Sequence, residues 1–442
     1  MVRHVIVGGG TAGMNAITTI RQYDKGASEI VLVASERPYA RMVLPYYLKG
    51  DISEAHVYTA TPARLRALDV QTYIGRRAVG LDPQAGTVTL DDGTQLAYDD
   101  LLIATGSSPV RPPVPGADAA DVYSFWTLEQ AQAVLHRLRP GCHVAMVGAG
   151  FIAFTILNAI LARQARLTVV EIAPQVLPRM IDAQGAKLVE EWLRQRGVHL
   201  RTGANLTAIE PADGRKRLRF QEGEDVVADV VILATGIRPN LEWLEGTGLA
   251  INRGVLVDEH LRSNVPNVYA AGDIAEGRDL VRGEAAVHAI EPTAMEHGRV
   301  VGANMAGQPV AYRGSLLMNI VEVLDLEIAS FGAWDDPQAE VSQALVPERF
   351  AYRKLLWRGD RLVGAMLIGP SREVWTSNDL GMLKGLVQSG IRLGAWKSYL
   401  HHHPFDVKRA FIAAGTTARL LPQTVLGSPS VPAAAVAVRR GV

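Results

Sequence analysis

The stretch VIVGGGTAGM, residues 5–14, places a glycine loop between an apolar strand-like run and an apolar helix-like run. Gly8, Gly10 and Gly13 follow the spacing G-x-G-x-x-G. In this setting the missing side chains let backbone N–H groups and a helix N-terminus approach a pyrophosphate. The stretch therefore predicts the start of a βαβ unit that binds a dinucleotide.

A second glycine loop, VAMVGAGFIA at residues 144–153, repeats the pattern with Gly148 and Gly150. Each loop is followed by an acid at the end of the next apolar run, Glu36 in the first case and Glu171 in the second. Such an acid accepts hydrogen bonds from ribose hydroxyls, although a surface glutamate in a turn is the alternative for Glu36. One loop alone is weak support, but two in one chain predict two bound dinucleotides.

The repeat extends beyond the glycine loops. A strand-like run over residues 98–106 ends in Ala104-Thr105-Gly106, and its counterpart over residues 230–236 ends at Gly236. The first 245 residues therefore hold two units of similar plan. Residues 172–174, directly after Glu171, are Ile, Ala and Pro, so no cationic side chain stands there to meet a 2′-phosphate. We predict NADH rather than NADPH in the second unit.

The charge balance argues against polyanionic partners. Lysine plus arginine equals aspartate plus glutamate at 45 each, so the sequence gives no electrostatic reason to expect nucleic acid. The N-terminus enters a strand-like run at once, without the pattern of a signal peptide, and we expect a cytoplasmic protein. The apolar run over residues 142–162 is about as long as a membrane span, but Gly148 and Gly150 predict a strand, a loop and a helix instead, and no transmembrane segment.

The cysteine count limits the chemistry. Cys142 is the chain's single cysteine and precedes the strand of the second glycine loop. With one cysteine, a disulfide or a dithiol relay within the chain is excluded. We expect Cys142 to be a small, semi-buried structural residue.

The glycine loops, Glu36, Ala104-Thr105-Gly106, the run ending at Gly236 and NVYAAGD at residues 267–273 occur in an order that resembles the FAD-dependent pyridine nucleotide-disulfide oxidoreductase family. The resemblance covers roughly residues 1–310. It implies an α/β fold like that of glutathione reductase, with two Rossmann-like dinucleotide-binding domains and a C-terminal α+β interface domain. The expected boundaries are an FAD-binding domain at 1–112 and 248–312, an NAD(H)-binding domain at 113–247, and an interface domain at 313–442 that makes a homodimer and ends in a poorly ordered tail from Pro422.

The resemblance also implies a set of site residues. The FAD set is Gly8, Gly10, Thr11, Ala12, Gly13, Glu36, Arg41, Ala78, Ala104, Thr105, Gly106, Gly272 and Asp273. The NAD set is Gly148, Gly150, Phe151, Ile152, Glu171 and Gly236. Phe151, Glu291 and Thr293 are implied near the flavin and nicotinamide, with the helix N-terminus at Glu291 directed at the flavin. Core packing is the alternative for Phe151, and a solvated loop position is the alternative for Arg41.

The loop over residues 39–48 holds no cysteine, which distinguishes this chain from relatives with a redox cysteine there. In this it resembles the ferredoxin and rubredoxin reductases and the nitrite-reductase flavoproteins. The implied function is electron transfer from NADH through FAD to a small iron–sulfur carrier protein. The alternatives are an NADH oxidase, an NADH:quinone-type reductase, or a non-catalytic FAD-bearing subunit of a larger redox complex.

Two departures affect the second unit. Ala153 stands where the third glycine is usual, and Thr155 stands where many relatives carry a glutamate near the nicotinamide. The first is tolerated, but the second leaves nicotinamide docking without its usual side chain.

The remaining third predicts strands over residues 349–357 and 361–369, then a helix near 371–390. Four of the seven tryptophans lie in this part, where core packing is the main interpretation and a dimer or docking surface the alternative. His401, His402 and His403 are consecutive, and the side chains of adjacent residues point in different directions. We therefore expect a loop or a subunit contact here rather than a metal site.

Overall fold

The structure is a computed structural model that describes residues 1–416, and the predicted tail from Pro422 lies outside these residues. The first segment forms a βαβ unit, two short helices, a three-stranded antiparallel sheet and two further strands. Its elements are β1 (Arg3–Val7), α1 (Thr11–Asp24), β2 (Glu29–Ala34), α2 (Leu44–Lys49), α3 (Pro62–Ala67), β3 (Val70–Ile74), β4 (Ala78–Asp82), β5 (Thr87–Leu90), β6 (Gln95–Ala97), β7 (Asp100–Ile103) and β8 (Ser107–Pro109).

The second segment repeats this plan around its own parallel sheet, with strand order β12-β11-β10-β16-β9. Its elements are β9 (Val122–Ser124), α4 (Leu128–Arg137), β10 (His143–Val147), α5 (Phe151–Ala162), β11 (Arg166–Val170), α6 (Ala183–Arg194), β12 (His199–Arg201), β13 (Leu206–Ala212), β14 (Arg215–Phe220), β15 (Val226–Ala228), β16 (Val230–Leu233) and β17 (Ile237–Pro239). The apolar run over residues 142–162 is β10, the loop and α5, as predicted.

The chain then returns to the first sheet. The third segment consists of β18 (Val255–Leu256), β19 (Val268–Ala270), β20 (Ala275–Arg278), β21 (Ala285–Ala286) and α7 (Glu291–Met305). Strand β19 pairs in parallel with β7 and completes the order β19-β7-β1-β2-β3. Helix α7 packs closely on α1, because a Cβ at Gly298 would lie 2.3 Å from the carbonyl oxygen of Ala12.

The last segment is an antiparallel sheet with the order β22-β23-β26-β25-β24, followed by three helices. Its elements are β22 (Met318–Val323), β23 (Leu326–Gly332), β24 (Glu340–Val346), β25 (Ala351–Arg358), β26 (Arg361–Pro370), α8 (Val374–Ser389), α9 (Ala395–His402) and α10 (Val407–Ala413). One face of this sheet contacts the second segment, where Lys354 forms an ion pair with Asp182 at 2.9 Å. The other face packs in a separate apolar cluster with α8.

Short 3₁₀ turns lie at Arg41–Val43, Glu54–His56, Glu242–Leu244, Gly272–Ile274 and Pro347–Arg349. The two parallel sheets with flanking helices confirm the predicted α/β fold with two Rossmann-like units. Within residues 1–416, no helix has the length and apolar character that crossing a membrane requires.

Candidate dinucleotide-binding site

A single continuous cavity of about 1780 Å³ receives both glycine loops. Its volume exceeds the range of about 300–1,000 Å³ that holds a drug-sized ligand. The cavity extends from the carboxyl ends of the first parallel sheet to those of the second, where ligands of open α/β sheets bind. It is therefore large enough for more than one small ligand in contact.

The first glycine loop is shaped by two close backbone approaches. Gly8 adopts φ +123°, and a Cβ there would lie 2.0 Å from the carbonyl oxygen of Ala104. A Cβ at Gly13 would lie 2.0 Å from the carbonyl oxygen of Gly8. Gly10 meets nothing within 4 Å and opens on the cavity. Glycine is thus required at two positions for packing and leaves free space at the third.

The second glycine loop has the same turn, but the helix that follows it packs with room for a methyl group. Gly148 adopts φ +104°, and a Cβ there would lie 2.3 Å from the carbonyl oxygen of Ala234. Its N–H donates to the carbonyl of Val170 at 2.7 Å, as that of Gly8 does to Val33 at 2.8 Å. Ala153, in the third glycine position, is fully buried. This unit therefore accommodates a methyl group where the first cannot.

Three helices present uncapped N-termini to the cavity. Helices α1, α5 and α7 begin after Gly10, Gly150 and Ile290, and none of these residues caps its helix with a side chain. By contrast, Thr127 and Asp182 cap α4 and α6 with side-chain oxygens. Uncapped first-turn N–H groups together with the helix dipole favour an anion. The cavity thus offers backbone sites for phosphates in both units.

Glu36 and Glu171, the two acids predicted to bind a ribose, have different hydrogen-bond partners. Both oxygens of Glu171 already accept backbone N–H groups, from Ala149 at 2.6 Å and from Ala173 at 2.8 Å. Glu36 instead accepts from the hydroxyl of Tyr39 at 3.0 Å and faces Arg41 at 3.4 Å. Each carboxylate oxygen has a further lone pair, so both acids remain able to accept a ribose hydroxyl.

Arg41 is held in the wall of the cavity. Its guanidinium donates to the carbonyl of Trp126 at 2.7 Å, and the Trp126 indole N–H donates to the carbonyl of Ser107 at 2.7 Å. The Ser107 hydroxyl in turn donates to Asp273 at 2.5 Å. Burial raises the pKa of Asp273, while the bond from Ser107 opposes that rise. This chain of contacts joins the Glu36 end of the cavity to the Asp273 end.

The start of α7 brings Glu291 to the first glycine loop. The Thr11 hydroxyl donates to Glu291 Oε1 at 3.4 Å, and burial raises the pKa of Glu291. Thr293 does not line the cavity and is buried within α7. Glu291 therefore lies at the cavity, whereas Thr293 lies behind its wall.

His297 supports the Gly272 turn. Burial lowers the pKa of His297 to about 3, so the imidazole is neutral at physiological pH. Its Nδ1 accepts the N–H of Gly272 at 3.3 Å, and Gly272 adopts φ +76°. The ring of Tyr312 stands edge-on at 4.9 Å between centroids. The turn that carries Asp273 is thus anchored by a neutral histidine.

Phe151 lies both at the cavity and against the apolar core. It lines the cavity and also packs, partly buried, against the apolar cluster of α5. The Thr155 hydroxyl, one turn further, donates to the carbonyl of Ile152 at 2.7 Å. The N-terminal part of α5 therefore shows an almost apolar surface to the cavity.

The structure brings the predicted site residues together. Gly13 and Thr293 lie behind the cavity, and all the others line it: Gly8, Gly10, Thr11, Ala12, Glu36, Arg41, Ala78, Ala104, Thr105, Gly106, Gly272, Asp273 and Glu291 in the first unit, and Gly148, Gly150, Phe151, Ile152, Glu171 and Gly236 in the second. Sequence reasoning missed Ser107, Trp126 and Asn319, which also line the cavity. No local motif marks them, because their place depends on contacts between distant segments.

The donors around the first loop fit FAD. The wall has glycines where a Cβ would collide, an uncapped helix N-terminus and an acid at the end of β2. The Thr105 hydroxyl is buried at the cavity and has no hydrogen-bond partner among residues 1–416. A bound nucleotide would supply a partner for such a group.

His401 and His402 lie in the last turn of α9 rather than in the expected loop, and both have ordinary hydrogen-bond partners. His401 Nδ1 lies 3.0 Å from the Ser342 hydroxyl, and His402 Nδ1 lies 2.8 Å from the carbonyl of Ser398. In the part of the chain that the structure describes, no group of three or more His, Cys, Asp or Glu side chains could hold a metal ion. Trp334 and Trp357 are buried, in agreement with core packing.

Comparison with known proteins gives relatives of similar organisation. The chain is 29% identical to the NADH-dependent phenylglyoxylate dehydrogenase subunit epsilon of Aromatoleum evansii, over 93% of this chain and 97% of that protein. It is 29% identical to a rubredoxin-NAD(+) reductase of Pseudomonas putida, over 69% of this chain and 80% of the relative. The chain spans about half the length of two other relatives, the assimilatory nitrate reductase electron transfer subunit and the NAD(P)H nitrite reductase of Bacillus subtilis, at 48% and 46%.

Solved structures agree with the fold. An NAD-dependent persulfide reductase from A. fulgidus superposes with a TM-score of 0.82 at 29% identity, over 89% of this chain and 78% of that one. Residues 2–293 match the family described as pyridine nucleotide-disulphide oxidoreductase. The two glycine loops on one cavity, the return of the chain to the first sheet and this match lead to one conclusion: the chain belongs to the pyridine nucleotide-disulphide oxidoreductase family.

Proposed function

We propose that the protein is an NADH:acceptor oxidoreductase that passes electrons through FAD to a small iron–sulfur carrier protein. The observation that carries this proposal is the single cavity onto which two glycine loops open, in a chain whose one cysteine does not line it. A bound flavin would accept a hydride from NADH and release the electrons to the acceptor. The protein then needs no nucleophile, and its side chains position and tune the two nucleotides.

The first unit would hold FAD. The N–H groups at the start of α1 face the pyrophosphate, and Glu36 accepts from the adenosine ribose. Ser107 and Asp273 form a hydrogen-bonded pair in the cavity wall, where Asp273 can accept from a hydroxyl of the flavin side chain. The uncapped N-terminus of α7 would favour negative charge on a flavin bound beside it.

The second unit would bind NADH reversibly. The start of α5 faces the pyrophosphate, and Glu171 accepts from the ribose with the lone pairs left by its two backbone bonds. Phe151 lines the cavity at the start of α5, where its ring would help to exclude water from the bound nicotinamide. Ile172, rather than a cationic side chain, follows Glu171 at the cavity, which favours NADH over NADPH.

The iron–sulfur acceptor is supported by the rubredoxin-NAD(+) reductase relative and by the cavity-lining loop at Arg41, which has no thiol. An anaerobic titration of the purified protein with NADH and then NADPH, followed by flavin absorbance, tests cofactor, nucleotide and competence together. We expect bleaching within seconds with NADH, and reduction of added rubredoxin or ferredoxin faster than reduction of oxygen. Faster NADH consumption with oxygen or a quinone alone would favour the oxidase or quinone-reductase alternative.

A second candidate is an FAD-bearing subunit of a larger redox complex. It is favoured by the epsilon subunit of A. evansii, of which this chain covers 97%. The flavin would then exchange electrons with partner subunits rather than with a diffusing carrier. Purification of the tagged chain from its native source distinguishes the two, because a stoichiometric complex supports the subunit and an isolated chain supports the reductase.

The same proposal includes the organisation of the chain. We infer an FAD-binding domain at 1–112 and 248–312, an NAD(H)-binding domain at 113–247, an interface domain from 313 that forms a homodimer, and a cytoplasmic location. Light scattering of the purified protein measures the mass of the assembly against the 47.7 kDa of one chain.

A further inference from the structure

The part of α5 that lines the cavity offers no side chain suited to the carboxamide of a nicotinamide. The residues of α5 that line the cavity are Phe151, Ile152 and Thr155. Phe151 and Ile152 are apolar, and the Thr155 hydroxyl gives its hydrogen to the carbonyl of Ile152. A carboxamide carries both a donor and an acceptor, so it needs a partner that offers both. That partner must come from another element.

Strand β22 brings one polar side chain to the same part of the cavity. Four consecutive residues, 317–320, line it, and Asn319 is the polar one. Asn319 is partly exposed, and no hydrogen bond to its side-chain amide is formed by the residues that the structure describes. An asparagine amide offers two donors and an acceptor, and its geometry is complementary to that of a carboxamide.

Strand geometry directs Asn319 toward α5. Alternate residues of a strand point to the same face, which places Leu317, Asn319 and Val321 together. Leu317 and Val321 pack in the apolar cluster that contains Ala153 and Leu157 of α5. Asn319 therefore lies on the face that meets this helix.

The contact between β22 and α5 is fixed by hydrogen bonds. Asn158 of α5 donates to the carbonyl of Glu322 at 3.0 Å and accepts from the N–H of Leu324 at 2.9 Å. One helical turn before Asn158 is Thr155, about 4.5 Å along the axis. Asn319 lies three residues before Glu322 in β22. Asn319 and Thr155 both line the cavity. Asn319 and Thr155 thus stand on neighbouring walls of one space.

A second polar group lies beside Asn319. Ser330 of β23 is its direct partner in the antiparallel register, so the two side chains share a face. Ser330 is fully buried, and its hydroxyl has no hydrogen-bond partner within residues 1–416. A buried hydroxyl without a partner is unfavourable, and a rotation of the Asn319 amide toward Ser330 would relieve it. Ser330 is therefore placed to hold that amide in one orientation.

We propose that Asn319 is the specificity residue for the nicotinamide carboxamide: its amide accepts from the carboxamide NH₂ and donates to the carboxamide oxygen. This rests on the proposed function, in which NADH enters the second unit. The C-terminal sheet then recognises the nicotinamide of the nucleotide, while the glycine loop binds its phosphates. An analogue without the carboxamide NH₂ should lose the bond to the Asn319 acceptor and keep only the bond from the Asn319 donor.

Binding to the oxidised holoprotein tests this without turnover. The affinities of NAD⁺ and of its 3-acetylpyridine analogue, in which a methyl group replaces the NH₂, are measured by calorimetry for the wild type, Asn319→Ala and Asn319→Leu. The wild type is expected to prefer NAD⁺ by about tenfold, and both variants by less than about threefold. Asn319→Leu keeps the size of the side chain but removes its donor and its acceptor, so it tests the contact even if Asn319→Ala unfolds.

Asn264→Ala is the matched control, because Asn264 does not line the cavity and should leave the preference unchanged. An unchanged preference in both Asn319 variants, with NADH still bleaching the flavin, overturns the role of Asn319 and leaves the proposed function intact. If neither nucleotide binds the wild type and NADH does not bleach the flavin, the proposed function fails and the assignment of Asn319 fails with it.

Discussion

The two glycine loops of this protein share one turn but differ in how tightly they are packed. Gly8 and Gly148 have similar φ angles and the same contact with a facing carbonyl, at 2.0 and 2.3 Å from an added Cβ. Behind the first loop, Gly13, Gly298 and Gly302 let α1 approach β1 and α7 with no room for a side chain. Behind the second, Ala153 fills the equivalent position at the start of α5.

The two glutamates that follow the loops also differ, and again the first makes the more extensive contacts. Glu36 faces Arg41 and a chain of side-chain contacts that continues to Asp273, whereas Glu171 is held by backbone N–H groups alone. A densely packed site whose side chains are joined by hydrogen bonds suits a resident cofactor. A site with fewer side-chain contacts suits a nucleotide that enters and leaves. Under the proposed function, the difference between the loops separates a permanent ligand from a transient one.

The largest effect is expected where the first loop is tightest. In Gly13→Ala the new Cβ would lie 2.0 Å from the carbonyl oxygen of Gly8, so α1 must move away from the cavity. We expect loss of the bound flavin and destabilisation of about 3 kcal/mol or more. Absorbance of the purified variant and its thermal unfolding measure the two. A full flavin content at an unchanged unfolding temperature would contradict this account.

The neutral His297 makes the first site sensitive to acid. Because burial lowers the pKa of His297 to about 3, the unfolded chain takes up this proton first as the pH falls below about 6.5. Stability contributed by the neutral imidazole is therefore present near pH 7 and is lost between about pH 6.5 and 3. At pH 4.5 the loss from this group is about 2 to 3 kcal/mol. Denaturant unfolding of the wild type and His297→Gln at pH 7 and 4.5 measures it, and equal losses in both proteins would refute the assignment.

The nucleotide preference of the second site should be easier to change. Ile172 lines the cavity and is 70% exposed, so the double substitution Glu171→Gln with Ile172→Arg adds a cation and removes the nearby negative charge. We expect the ratio of flavin reduction by NADPH to that by NADH to rise about tenfold, with FAD content unchanged. Ile74→Arg, at an exposed position outside the cavity, is the control. The same ratio in both variants would show that 2′-phosphate recognition lies elsewhere.

The smallest effect is expected from Ala153→Gly, which restores the usual third glycine of the second loop. Ala153 is fully buried in α5, so glycine costs about 1 kcal/mol in helix propensity. Affinity for NAD⁺ should change less than about twofold, since under the proposed function the loop binds the nucleotide with alanine present. Thermal unfolding and calorimetry check both values. A large gain in affinity would mean that Ala153 restricts the loop.

Local patterns made much of the fold predictable. The strand over residues 361–369 and the helix near 371–390 correspond to β26 (Arg361–Pro370) and α8 (Val374–Ser389), because periodicity and turn residues act over a few positions. The parts that were missed depend on distant pairs. Ser107 meets Asp273 across 166 positions, and Trp126 meets Arg41 across 85. Asn319 reaches the cavity only because the last sheet packs on α5, which no single segment of sequence reveals.

Cys142 has a consequence for the stoichiometry of turnover. It is the chain's single thiol, it is buried, and it lies at the start of β10 rather than in the cavity wall. Under the proposed function, the polypeptide offers no place to keep a second pair of electrons beside the flavin. Oxidation of one NADH must therefore be followed by delivery to the acceptor before the next NADH can react. Because a small iron–sulfur carrier takes up one electron at a time, each NADH requires two such deliveries before the next NADH reacts.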